Sequence, residues 1–545
     1  MNKLQIFTFL KKEYDGPTGT IIFMIFFKAF FMALLVFVIN QTTQTILAGD
    51  TGTIRMFFIY TLVCAITLYS FYYVSVQVTI MSVKIVKKMR LRLTNKLRRA
   101  ELRFVENTGR GELYARIAQD TDIVLHATPE ALSFVESGIL FIFMLIYVGT
   151  MSLVAFIFLA LFLFAIYSIY YLNYFEIRKK LNTARKMESS FFNLLDDTLS
   201  GFKEIKINTQ KNNELFADII KLSKETEQLK KEAGFKNNWN IAFAYSFFVG
   251  LLGVVVFALP LFANTSPEIV LSLVALVMFL FGPINIVSRG FPFVMRLNAA
   301  AENMDKLDKN LDASGLAPVP CPLNIPEKFH TIELRSISYT YTGNKGEVLF
   351  SLEPTNLKIR QGEIIFITGG NGSGKSTLMK LLTGLYYPMA DGKILLDGKV
   401  VTMENFQSYR ELFSAIFTDF HMFKKLYGVE SVDEARVKGL LKKMDIDKKT
   451  DYVDNAFTRR DLSTGQKKRL AYIAALLEDK PIYIFDEWAA DQDPMFRRLF
   501  YREFLQDLKA MNKTVIAVSH DDRYFGAAER VVKMEEGYII NNQKL

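Results

Sequence analysis

Cysteine is almost missing from these 545 residues: Cys64 and Cys321 are the two, too few for a disulfide framework or a cysteine-rich metal centre. No cleavable signal peptide is evident. The first apolar run is long enough to span a bilayer and no small-residue cleavage pattern precedes the second, so it reads as an uncleaved insertion signal. Long apolar runs are absent after Pro318, and lysine and arginine are absent from the segments 41–53, 149–153 and 264–268. The first absence confines any membrane part to the N-terminal portion, and the second places those segments on the outer side. A formal net charge of +10 does not call for nucleic acid, because a basic cytoplasmic face beside anionic lipid is the ordinary outcome.

What is present begins with apolar stretches of ~20 residues, enough to cross a ~30 Å hydrocarbon layer. Six spans are expected, at 18–40, 54–82, 133–151, 154–174, 240–263 and 268–294. Lysine and arginine crowd 84–116 and 176–236, so these segments, with both termini, face the cytoplasm. Each reads as a helical extension of the spans with a break, at Asn107–Glu112 and at Leu199–Gly201. Two readings fit the breaks: short cross-helices that touch a cytoplasmic domain, or plain hairpin turns. Lys28, Glu136 and Arg289 fall inside spans, where an ionised group is costly unless paired or facing water. They either line a polar substrate cavity or pair with one another. Tyr167, Tyr170, Tyr171 and Tyr174 form one helical stripe, for substrate contact or for packing and an interfacial belt. Gly282-Pro283 and Pro292 are expected to kink the sixth span.

A chain this long holds at least two units. Four prolines between 318 and 326 mark a boundary, giving a helical membrane bundle over 1–307, a linker over 308–328 and an α/β unit over 329–545. In that last unit, Ile364–Ile367 reads as a strand, Gly369-Gly370-Asn371-Gly372-Ser373-Gly374-Lys375-Ser376-Thr377 as a phosphate loop, and Leu378 onward as a helix. The glycines let backbone N–H groups turn inward around phosphate oxygens at a helix N-terminus. Lys375 then neutralises the β and γ phosphates of ATP, and Ser376 offers a hydroxyl to Mg²⁺.

The apolar strand Pro481–Phe485 ends in Asp486-Glu487. An acid at such a strand end holds Mg²⁺, here Asp486, and a second polarises the attacking water, here Glu487. Leu462-Ser463-Thr464-Gly465-Gln466 opens a second helix whose N-terminus suits phosphate, although Ser463 alone would pass for an ordinary cap. Val515–Val518 is a further buried strand, ending in Ser519-His520-Asp521-Asp522, where His520 is placed to hydrogen-bond a γ-phosphate.

This ordered set resembles the ATP-binding cassette (ABC) transporters along the whole chain. The resemblance implies that Tyr341 stacks on adenine, Gly369–Thr377 is the Walker A loop and Leu462–Gln466 the family signature. It likewise makes Asp486 and Glu487 the Walker B acid and catalytic glutamate, Asp493 the D-loop aspartate and His520 the switch histidine. It implies two cassettes closing head to tail, Ser463, Gly465 and Gln466 of one completing the ATP site of the other. One six-span domain and one cassette are then half of a dimer, a homodimer or a heterodimer. A finer resemblance, to the cyclic-peptide and siderophore exporters of Gram-negative bacteria, rests on Leu412–Asp419, Leu462–Arg469, Asp486–Pro494 and Ser519–Asp522. It implies an inner-membrane homodimer exporting a peptide-type cargo. With no peptidase-like segment before the first span, that cargo is expected to arrive matured. Two positions depart from the family: Thr418 or Asp419 stands where a glutamine belongs, Asp419 offering a carboxylate to Mg²⁺ or water, and Thr464 replaces a signature glycine. The alternatives are a lipid or hydrophobic-drug flippase and an ATP-gated regulatory membrane protein.

Overall fold

The computed structural model describes residues 5–47, 49, 53–263, 266–314, 329–343, 347–389, 391–429 and 432–544. The chain divides into two compact units, Met1–Thr94 with Tyr114–Asp308 and Asn95–Leu113 with Lys309–Leu545. Residues 315–328, most of the expected linker and with it Cys321, lie outside the described residues.

The first unit is helical because its sequence offers long apolar runs whose backbone groups must be satisfied within the segment. Among the described residues, Thr18–Leu47, Ile54–Leu97, Arg110–Met151, Thr209–Leu261 and Pro267–Ala313 are long and apolar enough to cross a bilayer. The expected span 154–174 falls in the helix Leu153–Ser200, whose apolar part within the described residues is Leu153–Ala165. Several side chains beyond that stretch, including Tyr167, Tyr170 and Tyr174, lie outside the described residues. Pro283 and Pro292 both lie inside the helix Pro267–Ala313. Met144, Leu159, Leu259, Leu276 and Leu280, fully or nearly fully buried, anchor the shared core.

Several polar side chains among these helices are paired. Lys28 Nζ lies 2.7 Å from Glu136, with 12% and 21% of the two side chains exposed, and stands 4.3 Å from the Phe71 ring centroid. Asn40 donates to the Tyr147 hydroxyl at 2.9 Å and Gln44 to Ser272 at 2.9 Å. Of the two uses open to Lys28 and Glu136, the geometry adopts the ion pair; the Arg289 side chain lies outside the described residues. Beyond the apolar runs, Leu153–Ser200 and Thr209–Gly253 continue as a hairpin, joined by Asn173 to Asn240 at 2.6 Å and Lys180 to Glu232 at 2.8 Å. Its tip is the short helix Phe202–Ile207, started at Gly201 and seated through buried Ile205.

The second unit is built on sheets. Its strands are β1 (Thr331–Thr342), β2 (Val348–Arg360), β3 (Ile364–Gly369), β4 (Lys393–Leu396), β5 (Lys399–Val400), β6 (Phe413–Ile416), β7 (Tyr452–Val453), β8 (Ala456–Phe457), β9 (Ile482–Asp486), β10 (Thr514–Val518), β11 (Arg530–Glu535) and β12 (Tyr538–Lys544). Among the described residues they form an antiparallel sheet β2-β1-β4-β5, a sheet β12-β11-β3-β10-β9-β6 and the hairpin β7-β8. From β11 to β6 the larger sheet is parallel, so its strands are covered on both faces and read as unbroken apolar runs; Ile364–Ile367 and Val515–Ile516 are fully buried.

The break at Asn107–Glu112 gives the short helix Leu102–Thr108, ended by Gly109 at φ +80°. This cross-helix belongs to the second unit and meets its sheets. Lys380 donates to Glu106 at 2.8 Å, the Tyr386 hydroxyl also donates to Glu106, and the Arg103 guanidinium lies 5.6 Å from the Tyr339 ring centroid. Burial, and then Glu106, push the Tyr386 hydroxyl well above the ordinary phenol range.

Removing one partner of a low-dielectric ion pair strands the other charge, whereas removing both does not. Glu136→Gln should therefore lower the melting temperature in detergent by several degrees, and Lys28→Met combined with Glu136→Gln should recover most of the loss.

Candidate active site

The site lies where the parallel strands end, the usual position for a ligand in an open α/β sheet. Register puts the exits level: Val518 pairs with Ile367 on one side and with Asp486 on the other. The phosphate loop, Glu487 and His520 therefore leave the sheet side by side.

The loop is shaped by positive φ at Gly369 (+151°), Gly372 (+77°) and Gly374 (+98°). At Gly369 a Cβ would also sit 2.2 Å from the Met534 carbonyl, so this position excludes any side chain. Gly374 starts the helix Lys375–Leu382, whose first N–H groups and dipole face the loop. Gly370 and Asn371 are exposed at the tip, whereas Ser373 and Thr377 are buried. Lys375 is 6% exposed, and its ammonium donates to the carbonyls of Gly369 at 2.9 Å and Gly370 at 2.8 Å. Burial pulls its pKa down, opposed by the charges of Glu487 and Asp486. The buried Ser373 hydroxyl has no hydrogen-bond partner among the described residues. A cradle of this kind fits an anion with several oxygens.

Ser376 Oγ lies 3.4 Å from Asp486 Oδ2, a hydroxyl and a carboxylate of the hard-oxygen type that suits Mg²⁺. Burial, then Glu487, raise the Asp486 carboxyl above the ordinary aspartate range, while Ser376 and Lys375 pull it back. Glu487 follows in a left-handed conformation, φ +52°, with its carboxylate 3.1 Å from His520 Nε2. Tyr341 on β1 packs edge-on against Tyr339 at 5.1 Å and Tyr386 at 6.0 Å, and its hydroxyl lies 3.5 Å from Thr377 Oγ1.

The signature segment opens the helix Thr464–Glu478. Ser463 and Gln466 make a reciprocal capping box, the Ser463 amide donating to Gln466 Oε1 at 3.2 Å and the Gln466 amide reaching Ser463 Oγ at 3.5 Å. A Cβ at Gly465 would fall 2.6 Å from the Asp491 carbonyl, and the Gly465 carbonyl accepts from Gln492 at 3.0 Å. Asp493 caps the next helix, Pro494–Leu499, through the amides of Met495 and Phe496, each at 3.0 Å, and accepts from Arg469 at 2.6 Å. The Phe496 amide first, then Arg469, hold its carboxyl below the ordinary range. Thr418 and Asp419 are exposed in the turn after β6.

Some neighbours of the site carry no signal of their own in the sequence. Arg469 stacks over Phe496 with its guanidinium carbon 3.4 Å from the ring centroid, Trp488 is buried behind Glu487, and Lys468 is buried beside them. A lysine and an arginine facing inward from an otherwise apolar helical run are the available clue.

Comparison with known proteins follows the same division. Residues 18–284 match the ABC transporter transmembrane region family, and residues 352–490 match the ABC transporter family. The ATP-binding protein SyrD of Pseudomonas syringae pv. syringae is 31% identical over 485 residues, covering 85% of this chain and 84% of SyrD. The choline transport ATP-binding protein OpuBA of Bacillus subtilis is 31% identical over 223 residues, 38% of this chain and 56% of its own. The ATP-dependent lipid A-core flippase of Escherichia coli K12 is 29% identical over 225 residues, 38% of this chain and 37% of its own. The chain belongs to the ABC transporters. It is a multi-pass membrane protein that binds and hydrolyses ATP to drive transport.

Gly369→Ala should weaken binding of a fluorescent ATP analogue at least tenfold. Gly370→Ala, where a Cβ meets nothing within 4 Å, should hold affinity within about threefold.

Proposed function

We propose that this chain is one half of a homodimeric exporter in a bacterial inner membrane, with 1–307 as a six-span domain, 308–328 as linker and 329–545 as a cytoplasmic cassette. The observation that carries the reading is the level exit of Lys375, Glu487 and His520 from adjacent parallel strands, in a chain matched over most of its length by one relative. The cargo, a cyclic peptide or peptide siderophore, is supported by the strings at 412–419, 462–469, 486–494 and 519–522.

Tyr341 stacks on adenine while Gly369–Thr377 wraps the phosphates. Lys375, released from the carbonyls of Gly369 and Gly370, turns to the β and γ phosphates. Ser376 and Asp486 would hold Mg²⁺, with Asp419 as a further carboxylate, and the ion would supply neutralisation of phosphate charge. Glu487 orients water and takes its proton as the oxygen attacks the γ-phosphorus. The bond to the β–γ bridging oxygen breaks and leaves ADP and phosphate. His520, 3.1 Å from Glu487, fixes the carboxylate and reaches the γ-phosphate. Ser463, Gly465 and Gln466 of the partner cassette close over the same phosphate, and Asp493 sets the start of the helix that follows.

Closure reaches the spans through the cross-helices at 102–108 and 202–207. Glu106→Ala, which removes the acceptor for Lys380 and Tyr386, should leave basal ATP turnover within about twofold and cut ATP-dependent cargo movement at least fivefold.

The deciding experiment follows cargo in inverted vesicles with a panel of cyclic peptides, siderophores and lipid probes. Peptide should accumulate with the wild type. Glu487→Gln should abolish accumulation and lower ATP turnover by about 10² to 10⁴. Movement of lipid alone would replace this reading with a flippase, and hydrolysis without movement of any cargo would replace it with a regulatory protein.

A further inference from the structure

Lys468 is a buried cation that the chemistry above does not use. It lies in the helix Thr464–Glu478, with its side chain 3% exposed. Its ammonium donates to the Glu487 carbonyl at 2.6 Å and pairs with Asp491 at 2.7 Å. The tie is returned: the Trp488 indole N–H donates to the Lys468 carbonyl at 2.8 Å. Lys468 and the residues around Glu487 are thus joined in both directions, main chain to side chain and side chain to main chain.

The tie meets the chain where it is least comfortable. Glu487 sits at φ +52°, a conformation that a non-glycine residue keeps only when its surroundings hold it. Its amide plane sets where the carboxylate points. The ammonium, with three donors on a flexible stem, is suited to bridge a carbonyl and a carboxylate at once. An apolar side chain would fill the space without making either bond, and removing water from a cation there is costly unless it is paired this way. Farther along the same segment the helix is fastened again, by Gln492 to the Gly465 carbonyl at 3.0 Å and Arg469 to Gln492 at 2.9 Å. Those links hold the D-loop region; the Lys468 link alone among these acts on Glu487 itself.

We infer that Lys468 is a positioning residue for hydrolysis, fixing the main chain of Glu487 so that its carboxylate meets the attacking water. The inference rests on the proposed role of Glu487, and the test separates the two. In reconstituted dimer, steady-state ATP turnover is measured for the wild type, Lys468→Met, Lys468→Arg, Glu487→Gln and the double variant Lys468→Met with Glu487→Gln. Affinity for a fluorescent ATP analogue and the melting temperature are measured alongside. Lys468→Met should lower kcat at least tenfold with KM and nucleotide affinity within about threefold, and Lys468→Arg should restore part of kcat. Added to Glu487→Gln, Lys468→Met should lower the residual rate by less than about twofold, because two groups acting as one unit do not add.

An unchanged kcat in Lys468→Met would overturn the inference while Glu487→Gln still fails. So would losses that multiply in the double variant, or a fall in kcat that follows the melting temperature across the Met and Arg variants. Retained turnover in Glu487→Gln would instead overturn the role of Glu487, and the inference with it.

Discussion

Parallel pairing of β3, β10 and β9 is the constraint on which the site depends. Each strand is locked to its neighbour residue by residue, so the ends at Gly369, Val518 and Asp486 cannot slip relative to one another without moving every buried side chain to the opposite packed face. This fixed rim gathers a lysine and two carboxylates into a space where none would collect unaided. The resulting opposition acts on both charges: burial depresses Lys375 and raises Asp486, and each offsets part of the other's cost. The carbonyls of Gly369 and Gly370 give Lys375 a resting place that a phosphate can take over, so the charge is kept satisfied before and after nucleotide arrives.

Behind the rim the chain is stiffened by rings more than by ion pairs. Trp488 stacks on Phe500 at 4.6 Å, Tyr472 on Phe504 at 5.3 Å and Tyr501 on Tyr524 at 4.5 Å. Such pairs have specific geometry and large buried area, which suits a wall that must hold Glu487 and Asp493 in set directions. Arg469 belongs to the same wall, because a guanidinium can lie flat on Phe496 while its N–H groups reach Gln492 and Asp493 in other directions.

The phosphate loop could be read from the sequence because its conformation demands glycine at fixed intervals, and positive φ at Gly369, Gly372 and Gly374 is the reason those intervals occur. Strands β3, β9 and β10 were equally plain, since a strand buried on both faces leaves an unbroken apolar run. The signature serine was ambiguous for a physical reason: Ser463 does cap its helix, in a capping box with Gln466, so the ordinary role and the special one use the same atoms. Spans were harder to count than to detect, because the helix Leu153–Ser200 runs from apolar to polar composition without a break to mark the end of its apolar part. Pairing across great sequence distance could be read only where a charge inside a span demanded a partner: Lys28 and Glu136 were candidates for each other for that reason, whereas nothing near Glu106 announces Tyr386.

That last pairing also bears on how the protein is made. Glu106 and Tyr386 are separated by 280 positions, an interval that takes roughly 15 s to a minute at ordinary rates of synthesis. The cross-helix emerges long before the sheet that receives it, and it waits as a short, partly apolar segment with Leu102 and Phe104 uncovered. Its docking closes one of the longest loops in the chain, so it belongs to the end of assembly. The join between the cross-helix and Tyr386 can therefore form only after both partners have been made, however early the helices before it fold.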